Sequence, residues 1–176
     1  QQQAYKTRVS AFDDTKASAL GDYVPAKLSF DDGEFPIAMV QTTDYSGYLL
    51  FVFENGKAAK VPLSAYATKT NRKKLARAFN DKAPLVAALF LPEDGEVMLR
   101  SDGNRAVLLH TELAAPKATR DTQGVQVMTL KAKHKVIEAT VLTPEQAEEL
   151  KKYRVKSIPA TGCLAKTLPD VGQMTL

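Results

Sequence analysis

The sequence predicts an all-β, propeller-like chain of about three blades, each of about four strands, followed by one short C-terminal helix. Three observations lead there. Two β-hairpins share one layout, the segments that follow them repeat as well, and turn residues stand at every boundary between strand-sized apolar runs. Short strands recurring at a period of about fifty residues are the mark of bladed β architectures, in which each repeat buries its apolar face against its neighbours.

The elements follow in order. Residues 1–43 are expected to form a first blade that lacks its leading strand. It runs from Tyr5 to Phe12 and through Asp14 to Gly21, with later strands at Tyr23 to Leu28 and Pro36 to Gln41. Residues 44–92 carry the first complete hairpin. Tyr48 to Phe53 leads into Glu54-Asn55-Gly56-Lys57, and Ala58 to Leu63 returns. Asn-Gly between apolar runs predicts a type I′ turn, with positive φ at both central residues. Pro62-Leu63-Ser64-Ala65-Tyr66, a basic loop and an apolar strand at Leu85 to Leu91 complete this blade.

Residues 93–142 repeat the plan. Glu96 to Arg100, Ser101-Asp102-Gly103-Asn104 and Arg105 to His110 form the second hairpin. Thr111-Glu112-Leu113 leads to a loop from Pro116 to Gly124, then to strands at Val125 to Leu130 and Val136 to Leu142. The turn glycines at 56 and 103 set a repeat offset of 47 residues. Residues 143–176 read as a helix and tail. Thr143, Pro144 and Gln146 stand at the N-cap, N1 and N3 positions of a capping box, and the helix should end near Tyr153. Arg154 to Ile158 could add a strand, and the chain from Ala160 onward reads as a tail. Phe51, Phe53, Phe79 and Phe90 lie in or near apolar runs and are expected in the core.

Composition sets the function classes aside one by one. A chain of 176 residues with 44% hydrophobic and 25% charged residues has enough apolar material for one sizeable core and is not a disordered tail. Its longest apolar runs are strand-sized, far too short to span a bilayer, so no membrane partner is expected. Gln1-Gln2-Gln3 is polar with no apolar segment after it, which argues against a signal peptide. The chain opens on Gln rather than Met and is expected to be a piece of something longer. One cysteine, Cys163, excludes an internal disulfide and fits a reducing cytoplasm. With only two histidines beside it, no zinc site is expected. No glycine-rich phosphate loop, nucleophile elbow or zinc-protease motif is present, so no catalytic residue and no cofactor are assigned.

The net charge of +4 is modest, but it is concentrated. From Lys69 to Arg77 the chain carries five cations and no acid, whereas acids gather in Asp31-Asp32-Gly33-Glu34, Glu93-Asp94-Gly95-Glu96 and near Glu145 to Glu149. A focused basic loop on a β scaffold points to a polyanionic partner. Lys69, Arg72, Lys73, Lys74 and Arg77 are therefore the first candidates for phosphate contacts. Lys117 and Arg120 occupy the corresponding loop of the next repeat, and Lys16 that of the first. Lys57, Lys60 and Arg105 sit on or beside the hairpins, where they would either extend a basic rim or act as edge-strand charges that discourage aggregation. Lys131, Lys133, His134 and Lys135 read as a solvated basic turn.

A hairpin with Asn55-Gly56-Lys57 at its turn, then Pro62-Leu63-Ser64-Ala65-Tyr66 and a Lys/Arg-rich loop, resembles the C-terminal repeats of bacterial DNA gyrase and topoisomerase IV A subunits. The next copy is similar at Ser101 to Ala106 and at Lys117-Ala118-Thr119-Arg120-Asp121-Thr122-Gln123-Gly124-Val125, and ends Thr129-Leu130-Lys131. The resemblance spans roughly residues 4–142. It implies a β-pinwheel, a disc whose blades exchange strands and whose basic rim binds and bends double-stranded DNA. It also implies partners: the rest of the topoisomerase A subunit, which would hold the catalytic tyrosine, and an ATPase subunit. Two departures stand out. Fewer blades are legible than a whole pinwheel has, and the glycine-rich gyrase box is missing, since Lys69 to Lys74 contains no glycine. A protein-interaction propeller, with the basic loops merely solvated, is the alternative reading.

Overall fold

The computed structural model describes residues 2–69 and 73–165. In chain order the elements are β1 (Gln3–Tyr5), a 3₁₀ turn (Val9–Ala11), α1 (Val24–Lys27), β2 (Tyr48–Phe53), β3 (Lys57–Pro62) and a 3₁₀ turn (Leu63–Tyr66). Next come β4 (Lys74–Ala76), β5 (Leu85–Leu91), β6 (Glu96–Ser101), β7 (Arg105–His110), a 3₁₀ turn (Thr111–Leu113), β8 (Val125–Gln126) and β9 (Val136–Val141). The described chain ends with α2 (Pro144–Glu149), a 3₁₀ turn (Lys151–Tyr153) and β10 (Cys163–Leu164).

Among the described residues all pairs of named strands are antiparallel, and they form two four-stranded sheets, β5-β2-β3-β8 and β10-β7-β6-β9, and one two-stranded sheet, β1-β4. Each sheet takes one strand from the following repeat. β4 crosses to β1, β8 to β3 and β10 to β7. β1 is thus the counterpart of β3 and β7, since each accepts a donated strand and runs toward a 3₁₀ turn. This all-β, strand-exchanged layout is that of a β-pinwheel.

The apolar runs are continuous because both faces of the sheets are covered. Leu50 and Val52 on β2 point toward Val97, Leu99, Val107 and Leu109 of the next sheet, forming the core between the two blades. Their neighbours Phe51 and Phe53 point the other way, onto Leu63, Tyr66, Leu75 and Ala78. Met98 and Leu108, on the far face of the second sheet, meet Ala147, Leu150 and Tyr153. Each such fully buried Leu, Val or Phe contributes about 1.5–3 kcal/mol over its exposed state. β5 and β9, edge strands of successive sheets, lie alongside one another.

The helix begins where the capping box places it. Thr143 Oγ1 accepts from the Gln146 amide, and the Gln146 side chain accepts from the Thr143 amide at 2.9 Å. It covers the outer face of the last sheet. The expected strand at Arg154 to Ile158 is only a single bridge to Leu108, while the expected tail supplies β10, which completes that sheet.

Four further expectations are corrected. Tyr23 to Leu28 is not a strand but the helical turn α1, because Pro25 lacks the N–H a ladder needs, while Leu28 N donates to Val24 O at 3.0 Å. Pro36 to Gln41 forms no strand. Its counterparts β5 and β9 pair with β2 and β6, and no such strand stands beside it among the described residues; Phe35 and Met39 are accordingly 74% and 81% exposed. Val125 to Leu130 pairs with β3 only at Val125 and Gln126, then turns at Gly56 and bridges from Met128 to Ala160. The hairpin turns are three-residue loops with one left-handed residue, Gly56 (φ 80°) in one and Asn104 (φ 52°) in the other. The structural offset between the repeats is therefore 48 residues, pairing Gly56 with Asn104 and Lys57 with Arg105.

Strand exchange depends on two glycines at equivalent places. Gly124 and Gly162 immediately precede the donated strands β8 and β10, with φ of 70° and 74°. A Cβ on Gly124 would lie 2.0 Å from the Ala58 carbonyl oxygen, and one on Gly162 2.4 Å from that of Ala106. Gly124→Ala is expected to lower unfolding stability by more than about 2 kcal/mol, combining left-handed strain with a backbone clash. Gly21→Ala, where a Cβ meets nothing within 4 Å, should stay within about 0.5 kcal/mol of the parent chain in the same denaturant titration.

Candidate nucleic-acid interface

The basic loop grows out of the fold as the connection between a 3₁₀ turn and a donated strand. Tyr66 ends the turn with its ring buried and its hydroxyl donating to Ala78 O at 2.6 Å; burial drives that hydroxyl's pKa far above the usual tyrosine value. Beyond Tyr66 the chain leaves the core at Ala67, which is exposed, and it re-enters at Leu75 on β4, which is buried. Lys69 and Lys73 are exposed and, among the described residues, form no ion pair. Arg72 lies outside the described residues. Lys74, on β4 itself, ion-pairs with Asp31 at 2.5 Å and lies over the Tyr5 ring; its hydrogen bond to Asp31 holds its pKa above the ordinary lysine value. Arg77 follows β4 with its side chain 81% exposed and one guanidinium nitrogen 2.7 Å from Asp121.

The equivalent loop of the next repeat lies across this one. The Lys117 amide donates to Lys60 O at 2.8 Å, which lays the loop along β3 and leaves the Lys117 side chain in solvent. Asn80 Nδ2 donates to Asp121 O at 2.7 Å, and Arg120 Nη1 to Ala65 O at 3.0 Å. Lys69, Lys73, Arg77 and Lys117 are thus brought onto adjoining loops. Lys6 joins them, its amide donating to Lys73 O at 2.7 Å and its ammonium to Thr68 at 2.6 Å. Lys6 was not among the candidates, because only the exchange of β4 onto β1 carries residue 6 to the loop. Lys16 stands apart on the exposed segment after the first 3₁₀ turn, where its carbonyl accepts from Ala19 N at 2.9 Å.

Three hairpin cations turn inward or sideways. Lys60 is 2% exposed, so its placement on a basic rim is corrected: its ammonium donates to Asp94 at 2.7 Å and to Thr111 O at 2.9 Å, and it lies 4.9 Å from the centre of the Tyr48 ring. A long polar side chain survives there because every donor direction meets an acceptor or a π face. Lys57 and Arg105 occupy matching positions and do matching work. Lys57 Nζ donates to Gln123 Oε1 at 3.3 Å and Arg105 Nη1 to Gly162 O at 2.7 Å, each reaching the chain that leads into a donated strand. The turn near residue 134 is half neutralised, with His134 Nδ1 at 2.9 Å from Asp102 and Lys135 at 2.9 Å from Glu54.

Desolvation alone would raise the Asp94 carboxyl, but hydrogen bonds from Lys60 and Thr111 outweigh it and hold its pKa below the usual carboxylate range. A depressed folded-state pKa gives stability that is present above the unfolded value of about 4 and is lost as pH falls through the folded value. The destabilisation caused by Asp94→Asn should therefore be largest near neutral pH and shrink below about pH 4 in chemical denaturation. Asp94→Ala should cost roughly 2–4 kcal/mol by stranding the Lys60 ammonium, with partial exposure of Asp94 keeping it under the fully buried limit. Lys60→Met should cost less than Asp94→Ala in the same measurement, since it removes the buried charge instead of stranding it.

No protein-family model matches this sequence, and no curated protein matches it. Solved structures do. The C-terminal domain of DNA topoisomerase IV superposes with a TM-score of 0.68 at 22% identity, over 82% of this chain and 46% of that one. The DNA gyrase A C-terminal domain gives 0.50 at 20% identity, over 68% and 43%. The Escherichia coli ParC C-terminal domain gives 0.61 at 14% identity, over 86% and 69%. This chain spans less than half the length of the first two. Its fold is that of the C-terminal domains of topoisomerase IV and gyrase A subunits.

Proposed function

We propose that this chain is a non-catalytic module of a bacterial, cytoplasmic type IIA topoisomerase A subunit, and that it binds and bends double-stranded DNA. Its partners in that reading are duplex DNA, the rest of the A subunit with its cleavage tyrosine, and the ATP-hydrolysing subunit. The observation that carries the proposal is the adjacency of two equivalent basic loops, which place exposed Lys69, Lys73 and Lys117 beside Arg77 and Lys6 on a rigid β scaffold. The shared fold supports the topoisomerase context.

Such a surface suits phosphates rather than bases. Its described cations sit on loops, so binding is expected to be sequence-tolerant and salt-sensitive. Bending a stiff duplex opposes association, and contacts distributed over successive loops offset it better than one strong contact. Lys16, Lys57 and Arg105 are secondary contributors in this scheme, while Lys74 is drawn back by Asp31.

Fluorescence anisotropy of the chain on random-sequence duplex DNA over a salt series tests the reading. Affinity should fall steeply with salt and hardly vary with sequence. Lys73→Glu combined with Lys117→Glu should flatten the slope of log K against log salt by roughly two. Absence of binding at low salt would remove the proposal and favour a protein-interaction role.

A further inference from the structure

Building on the DNA-binding reading, we propose that Arg120 and Asp121 are positioning residues, not phosphate contacts. They clasp two successive basic loops into a single surface. Arg120 projects from the later loop and bonds the two ends of the earlier one. Its Nη1 donates to Ala65 O at 3.0 Å, just before Tyr66, and its Nη2 to Ala76 O at 3.4 Å, at the end of β4. One planar fork thus brackets the whole basic segment between residues 66 and 75. The guanidinium lies 5.8 Å from the centre of the Tyr66 ring, itself anchored through its hydroxyl to Ala78 O, and the Arg120 Nε is buried without a partner. With both terminal nitrogens bonded to backbone carbonyls and Nε buried, this guanidinium is turned to the protein rather than to an external anion.

Asp121 completes the clasp from the neighbouring position. Its carboxylate holds Arg77 at 2.7 Å, and its carbonyl accepts from Asn80. Arg77 has a φ of 56°, a conformation unusual for an arginine, and the ion pair fixes the direction of a side chain that is otherwise in solvent. Lys69 and Lys73 on one loop, and Lys117 on the other, consequently share one rigid frame. A lysine at 120 would keep the charge but could not span both carbonyls, because the ammonium is a point donor and the guanidinium a fork.

The sign of a charge change separates positioning from simple electrostatics. Asp121→Asn removes a negative charge beside the basic loops, so a purely electrostatic surface would bind duplex DNA more tightly. The clasp predicts the reverse: affinity falls about fivefold in Asp121→Asn and about tenfold in the charge-conserving Arg120→Lys, the range expected for coupled neighbours. Hydrogen exchange of the full chain without DNA is the companion measurement, and amides 74–78 should lose protection in both variants. Tighter binding by Asp121→Asn, or parental binding by Arg120→Lys, overturns the clasp. So does weakened binding with unchanged exchange at 74–78, which would make these side chains direct contacts. If the parent chain itself fails to bind random-sequence duplex at low salt, the DNA reading falls and the positioning role with it, whereas a failed clasp leaves parental binding intact.

Discussion

Donation of one strand per repeat to the preceding sheet is the constraint on which the rest of this structure depends. It requires that the chain, having left a hairpin through a 3₁₀ turn, come back close enough to pair with a strand it has already formed. The approach is so near that only glycine fits at Gly124 and Gly162, where the Ala58 and Ala106 carbonyl oxygens occupy the space of a Cβ. Because β4, β8 and β10 are shared between repeats, no four-stranded sheet is assembled from one repeat alone. The interfaces between blades are therefore covalently continuous as well as packed.

That constraint also makes the basic surface. The segment that travels from a 3₁₀ turn to a donated strand passes from one blade to the preceding one, and its described cations lie on the solvent side. Cations at Lys69, Lys73 and Lys117 are tolerated there because they are solvated. The same path delivers Arg120 and Asp121 to the base of the earlier loop, so the bridge that completes one sheet also braces the loop of the other. Where a cation lies instead on the sheet side of the hairpin, as Lys60 does, it needs Asp94, the Thr111 carbonyl and the Tyr48 ring around it. Lys57 and Lys60, three residues apart on β3, thus have different environments: Lys57 reaches Gln123 at the surface, while Lys60 is buried.

The last sheet shows the same economy. Ala147 of α2, its C-cap Leu150 and Tyr153 of the following 3₁₀ turn pack on Met98 and Leu108, and β10 pairs along the edge of β7. At the other end β1 and β4 remain a pair, and the segment from Phe35 to Met39 keeps its apolar side chains exposed.

Much of the architecture could be read from local chemistry. The two hairpins, the burial of Phe51 and Phe53, and the capped helix at Thr143 depend on residues within a few positions of one another, and there sequence pattern and physical cause coincide. The turn type could not be read so well, because Asn-Gly and Asp-Gly-Asn each permit several loops and the pairing register chose a three-residue one, moving the repeat offset by one residue. β4 and β10 read as loop and tail in the sequence because a strand of two or three residues has no periodicity of its own; its partner is many residues distant. For the candidate surface, sequence identified which segments are basic, since charge density is a local property. Which cations face solvent, which are consumed by Asp94, Asp31 or backbone carbonyls, and that Lys6 and Asp121 belong beside them, was decided by tertiary structure alone, because strand exchange and burial are set by contacts between residues far apart in the chain.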